Sequence, residues 1–143
     1  MRCIIIEDQA PARHILQKYI HNTDVLTLEM TFCDALEASA YLSHHAIDLI
    51  FLDINLPRFS GLDFLRSAQN HPLTILTTAY SEFALESYQF NVVDYLLKPF
   101  SFERFSQAID KVTAMKRSIQ QAGQEHAVPA DKCVYIKTQT MSW

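Results

Sequence analysis

The sequence predicts an α/β domain built on a doubly wound, five-stranded parallel sheet of strand order 2-1-3-4-5. Three observations predict it. Strand-length apolar runs alternate five times with segments of helical periodicity, the pattern of parallel strands joined by crossover helices. Three of the runs, Arg2–Ile6, Asp48–Leu52 and Leu73–Thr77, are apolar with hardly any alternation, as expected of strands covered on both faces. The chain has 143 residues, 49% hydrophobic and 20% charged, which suits one globular domain. Right-handed crossovers leave few topologies for five such strands, and 2-1-3-4-5 is the common one.

The elements follow in order. After the strand Arg2–Ile6, the residues Ala12, Ile15, Leu16, Tyr19 and Ile20 recur at three- and four-residue spacing and make an amphipathic helix over about Pro11–His21. Pro11 sits near its start, where a missing N–H costs nothing. Leu28–Cys33 is the second strand, and Ala35–His45 the second helix with Asp34 as its N-cap. The third strand, Asp48–Leu52, precedes a helix over Leu62–Asn70; the fourth, Leu73–Thr77, precedes a short helix over Ser81–Phe90 capped by Ser81. Val92–Leu97 is the fifth strand. The fifth helix, about Ser101–Ala122, carries Phe102, Phe105, Ile109, Val112, Lys116 and Ile119 on one stripe, with Gly123 as a stop. That stripe comes close to a heptad seam, but its length and its lysine favour a face that packs on the sheet.

Composition excludes several functions. The longest purely apolar runs, such as Cys3–Ile6, are too short to span a bilayer. Glu7, Asp8, Arg13 and Lys18 do not suit a signal peptide. Three cysteines at wide spacing, with no C-x-x-C, argue against a disulfide scaffold or zinc and for reduced cytoplasmic thiols. Cys3 and Cys33, on strands expected to be neighbours, read as small buried thiols, and His44 and His45 as favourable charges at a helix end. Residues 1–100 carry 6 Lys and Arg against 12 Asp and Glu, and residues 101–143 carry 6 against 4. An acidic body is a poor match for nucleic-acid phosphates. It suits a divalent cation if the carboxylates converge.

In such sheets the crevice lies outside the carboxyl ends of the strands. There the first strand ends in Glu7 and Asp8, the third in Asp53, the fourth in Thr77 and Thr78, and the fifth in Lys98 and Pro99. Carboxylates this close repel one another unless a cation intervenes, and one or two carboxylates with water are how proteins hold Mg²⁺.

The segments IIIEDQ (4–9), FLDINLPRFSGLDFL (51–65), ILTTAY (75–80) and DYLLKPF (94–100), in this order and spacing, resemble the receiver domain of bacterial two-component response regulators over about residues 1–120. The last two resemble in particular the LytTR (LytR/AlgR) branch, whose receivers precede a mostly β DNA-binding domain. The resemblance implies the flavodoxin-like receiver fold. It implies Asp53 as phosphoacceptor for a sensor histidine kinase. Asp8, Asp53, the Asn55 carbonyl and Glu7 (directly or through water) would hold Mg²⁺, while Thr78 and Lys98 would bind the phosphoryl group and Tyr95 would act as an aromatic switch. Pro57 and Gly61 shape the loop after Asp53, and Pro99 would follow a cis peptide bond. Asn55 and Tyr80 flank the chemistry and would tune the lifetime of the acyl phosphate, expected to be minutes or longer. The face made by the fourth helix, fifth strand and fifth helix would form a homodimer.

Two rival readings stand beside this one. A haloacid-dehalogenase-type phosphatase also uses a strand-end Asp with Mg²⁺, but places a second Asp two residues on, where this chain has Asn55. A phosphorylation-independent, stand-alone receiver would act by protein–protein contact alone. Residues 121–143 are expected to be a linker and the start of a truncated LytTR-like domain, with Lys132–Thr138 as its opening strand. Any DNA contact would then come from a domain absent from this chain.

Overall fold

In the computed structural model, the apolar runs of the sequence form the centre of one parallel sheet. The structure describes residues 1–68, 70–80 and 92–127, with 121–127 by backbone alone. Its strands are β1 (Arg2–Ile6), β2 (Thr27–Phe32), β3 (Leu49–Asp53), β4 (Leu73–Thr78) and β5 (Asp94–Leu97), in spatial order β2-β1-β3-β4-β5. The predicted order is therefore the observed one. Every residue of β3 and β4 is buried, and so are four of the five in β1. These are the inner strands; β2 and β5 lie at the edges and expose part of their length.

Alternation along the strands divides the core into two layers. Ile5, Phe51, Ile75 and Leu96 pack with Leu16 and Ile20 of α1 (Ala10–His21) and with Phe105, Ile109 and Val112 of a long C-terminal helix (Phe102–Ala127). Ile4, Ile6, Ile50, Leu52 and Leu76 pack on the other side with Ala35 and Ala38 of α2 (Ala35–Leu42) and Leu62, Phe64 and Leu65 of α3 (Gly61–Ser67). Burying side chains of this size stabilises the fold by roughly 1.5–3 kcal/mol each.

The helix ends show what local chemistry sets them. Asp34 caps α2 by accepting from the N–H groups of Leu36 at 2.6 Å and Glu37 at 3.4 Å. The helix stops at Leu42, short of the expected His45; the His45 ring stacks on Tyr41 at 3.8 Å and its Nδ1 meets the Tyr41 carbonyl at 2.9 Å. Ser60 and Asp63 form a reciprocal capping box that starts α3 one residue before the expected Leu62, and the helix ends at Ser67 rather than Asn70. Gly123 does not stop the C-terminal helix, which continues to Ala127. Its stripe is a packing face: Phe105, Ile109 and Val112 are buried, Phe102 and Ile119 are each 39% exposed, and Lys116 reaches Asp48 at 2.5 Å. Cys3 is buried, and burial above all pushes its thiol up to about 12. Cys33 is exposed, against expectation, because β2 ends at Phe32 and leaves it in the following loop. The expected fourth helix (Ser81–Phe90) and the strand Lys132–Thr138 lie outside the described residues.

Candidate functional site

The crevice at the carboxyl edge of the sheet is acidic. Glu7 follows β1, Asp8 follows Glu7, and Asp53 ends β3; a carboxylate oxygen from each lies within 4.8 Å of the others. Glu7 is fully buried, Asp53 is 3% exposed, and Asp8 stands at the open mouth. Lys98, just past β5, brings its ammonium to 2.7 Å from Glu7 Oε1 and 3.4 Å from Asp53 Oδ1. Two buried carboxylates thus share one cation. Burial first, and then a hydrogen bond to Glu7 and its charge, push the Asp53 carboxyl up to about 7, against the opposing pull of Lys98 and the Asn55 N–H.

The loop after Asp53 is shaped by backbone contacts. Asn55 N–H points at Asp53 Oδ1 over 3.3 Å, and Phe59 N–H donates to the Pro57 carbonyl at 2.6 Å. Arg58 takes a positive φ of 65° and places its guanidinium 2.5 Å from Asp34. Gly61 N–H returns to the Ile54 carbonyl at 2.9 Å, so the start of α3 lies directly on the end of β3. A Cβ at Gly61 would meet the Asp53 carbonyl oxygen at 2.3 Å, which only glycine avoids. Across the sheet, Asp53 is in register with Thr77, and Thr78 follows on β4. Thr78 is buried, and its Oγ1 accepts from the Tyr80 N–H at 3.0 Å. The Lys98–Pro99 peptide bond is cis.

The matches to known proteins fall on this framework. The family model described as the response regulator receiver domain matches residues 3–110. This chain belongs to the response regulator receiver family. Among its relatives, the sensory transduction protein LytR of Staphylococcus epidermidis is 36% identical over 120 residues, covering 81% of this chain and 47% of LytR. The transcriptional regulatory protein YpdB of Escherichia coli is 32% identical over 117 residues, 80% of this chain and 48% of YpdB. The chain spans about half the length of these two relatives. The solved response regulatory domain of mrkE from Klebsiella pneumoniae superposes with a TM-score of 0.76 at 30% identity, covering 82% of this chain and 99% of that one.

In this receiver domain the sequence-predicted residues fall into two groups. Glu7, Asp8, Asp53 and Lys98 converge, with the Asn55 backbone at their rim. Thr78 and Tyr95 belong to the opposite face: Tyr95 pairs with Leu76 in register and packs, half-buried, on the layer under α2 and α3. The ring of Tyr80 is about half exposed (48%) beyond β4.

Other contacts escape the sequence reading. Arg13 of α1 donates to the Glu7 carbonyl at 3.0 Å and its guanidinium also lies 3.5 Å from Cys33 Sγ, tying down the turn that carries both Glu7 and Asp8. Tyr19 holds the Phe100 carbonyl at 3.1 Å, just beyond Lys98 and Pro99. Asp94, at the start of β5, takes two hydrogen bonds of 2.9 Å from Arg104 and an ion pair of 3.2 Å from Lys111. The seven-residue spacing of Arg104 and Lys111 on one helix is a signal that could have been read; the partner across the fold is not.

Proposed function

We propose that the chain is the phosphoacceptor switch of a two-component relay, with Asp53 taking a phosphoryl group from the phosphohistidine of a sensor kinase. The observation that carries this reading is the convergence of Glu7, Asp8 and Asp53 within 4.8 Å around the Lys98 ammonium. An Asp53 carboxylate oxygen attacks phosphorus as the N–P bond of the donor breaks, and the electron pair leaves with the imidazole, which then takes a proton from water. The new bond is an acyl phosphate, labile to hydrolysis and so self-limiting as a signal.

The donor set fits Mg²⁺: three hard carboxylates, two of them buried and one at the mouth, hold more negative charge than Lys98 balances. Asp8, Asp53 and the Asn55 carbonyl, with Glu7 directly or through water, would hold it. Bound there, the ion supplies positive charge to the phosphoryl oxygens. Lys98 pairs with those oxygens, Thr78 exchanges its contact with Tyr80 for one of them, and the Asn55 N–H, which already points at Asp53, supplies a further donor. Thr78 and Tyr95 share a face of adjacent strands, which supports movement of the hydroxyl being felt by the ring. Tyr80 screens the acyl phosphate, and Asn55 brings no titratable proton to hasten its loss.

The affected surface includes β5, where Leu97 stands 42% exposed, and serves as the homodimer face. In the whole protein, residues 1–120 act as the cytoplasmic switch and residues 121–143 lead into a LytTR-like DNA-binding domain that regulates transcription. No helix among the described residues is long and apolar enough to cross a membrane. The test is incubation with acetyl phosphate and Mg²⁺ followed by intact mass measurement. A gain of one phosphoryl group, lost in Asp53→Asn, is expected; no gain in the unaltered chain contradicts the reading.

A further inference from the structure

Four residues stand in a row on the sheet face that carries the C-terminal helix: Glu7 after β1, Asp53 on β3, Thr77 on β4 and Lys98 after β5. The row follows from the strand order β1-β3-β4-β5, from the pairing of Asp53 with Thr77 and of Thr77 with Leu96, and from Ile5, Phe51, Ile75 and Leu96 lying in the layer beneath that helix. Lys98 is two strands from Asp53, yet its ammonium is 3.4 Å from Asp53 Oδ1 and 2.7 Å from Glu7 Oε1. The lysine stem therefore passes over the end of β4, from the level of Ala79, which follows the Thr78–Leu97 pair, toward the level of Asp53 and its partner Thr77.

Thr77 is fully buried, and its Oγ1 has no hydrogen-bond partner among the described residues. Its neighbours differ: Thr74 donates to the Pro72 carbonyl at 2.9 Å, and Thr78 accepts from Tyr80. A buried hydroxyl without a partner loses its water and gains nothing in return, whereas valine would fill nearly the same space at no such cost. A buried hydroxyl in register with Asp53, whose carboxylate the ammonium already reaches, needs a state in which it is used.

We propose that Thr77 is a positioning residue for Lys98, its Oγ1 accepting an ammonium N–H in the phosphorylated state. This rests on Asp53 being the phosphoacceptor. A lysine ammonium has three donors, and in this state two carboxylates engage it. When phosphoryl oxygens add charge beyond Asp53, the ammonium follows them and gives up Glu7. Thr77, on the strand between, then supplies a charge-assisted hydrogen bond that fixes the direction of the lysine.

The test compares Thr77→Val and Thr77→Ser with the unaltered chain, using beryllofluoride with Mg²⁺ as the phosphoryl mimic. Three quantities are read: the unfolding midpoint without ligand, the beryllofluoride affinity, and the ¹H–¹⁵N signal of the Lys98 ammonium in the loaded protein. Thr77→Val is expected to unfold at the same or a higher midpoint, to bind the mimic about tenfold more weakly, and to lose the slowly exchanging ammonium signal. Thr77→Ser, which keeps the hydroxyl, restores both affinity and signal. Equal affinity of Thr77→Val and the unaltered chain, or a Thr77→Ser as weak as Thr77→Val, overturns the role of Thr77. Failure of the unaltered chain to bind the mimic overturns the phosphoacceptor reading instead.

Discussion

The Lys98 ammonium sits closer to Glu7, at 2.7 Å, than to Asp53, at 3.4 Å. The lysine is shared between the two carboxylates, with the fully buried Glu7 taking the shorter bond. Glu7→Gln removes the charge that pushes the Asp53 carboxyl up, and puts in place of the carboxylate an amide that can donate to the ionised Asp53 and competes only weakly for Lys98. The Asp53 titration, followed by carboxyl ¹³C shifts in the metal-free protein, is expected to move down from about 7. An unmoved titration would mean that burial alone sets it.

The raised Asp53 carboxyl gives the metal-free protein a defined pH dependence. Folded Asp53 keeps its proton to about 7, whereas an unfolded Asp loses it near ~3.9, so stability from this group is full at low pH and fades as pH rises through about 7. Mg²⁺ requires the ionised carboxylate and competes with that proton. Mg²⁺ affinity by calorimetry is therefore expected to fall below pH 7 by up to about tenfold per pH unit, and the Mg²⁺-induced rise in unfolding temperature to be larger at pH 8 than at pH 6.

Gly61→Ala tests the seat of α3 on β3. The added Cβ would meet the Asp53 carbonyl oxygen at 2.3 Å and Ile54 Cα at 3.0 Å, both backbone atoms that a rotamer change cannot move. The helix start must lift, at a cost of about 2 kcal/mol or more. Denaturant unfolding is expected to show that loss, together with weaker Mg²⁺ binding because the Asp53 loop moves with it.

Asp94 ties β5 to the C-terminal helix. It is 8% exposed, and burial works to raise its carboxyl, but the Arg104 hydrogen bonds, the Tyr95 N–H and Lys111 outweigh that and hold it below the usual range. A lowered carboxyl contributes stability above the ordinary Asp pKa of about 3.9 that is lost as pH falls through the folded value. Asp94→Asn is expected to cost about 2 kcal/mol at pH 7 by denaturant titration, and to flatten the acid limb of the stability curve below about pH 4.

Most of the fold is legible in the sequence because burial on both faces leaves runs such as Ile4–Ile6 and Leu49–Leu52 without polar interruption, and such runs have one home in a parallel sheet. The strand-end residues are legible for the same reason: once the runs are placed, Glu7, Asp8, Asp53 and Lys98 must share an edge. What escapes is chosen by geometry across the fold. Nothing in the spacing makes Lys98 prefer Glu7, or brings Arg104 and Lys111 to Asp94, which are contacts between separate elements. Cys33 reads as buried because a strand ending one residue later would have placed it in the ladder. Thr77 looks like a bland neighbour of Thr78 until its burial and its unpartnered hydroxyl are seen together.

The measurement that bears most directly on the central claim is the site of phosphorylation. After incubation with acetyl phosphate and Mg²⁺, borohydride reduces an aspartyl phosphate to homoserine, which peptide mass spectrometry locates. The account predicts homoserine at position 53, and none there when Mg²⁺ is withheld. Homoserine at Asp8 or elsewhere with position 53 unchanged, or a phosphoryl group found on a histidine or serine, would contradict it.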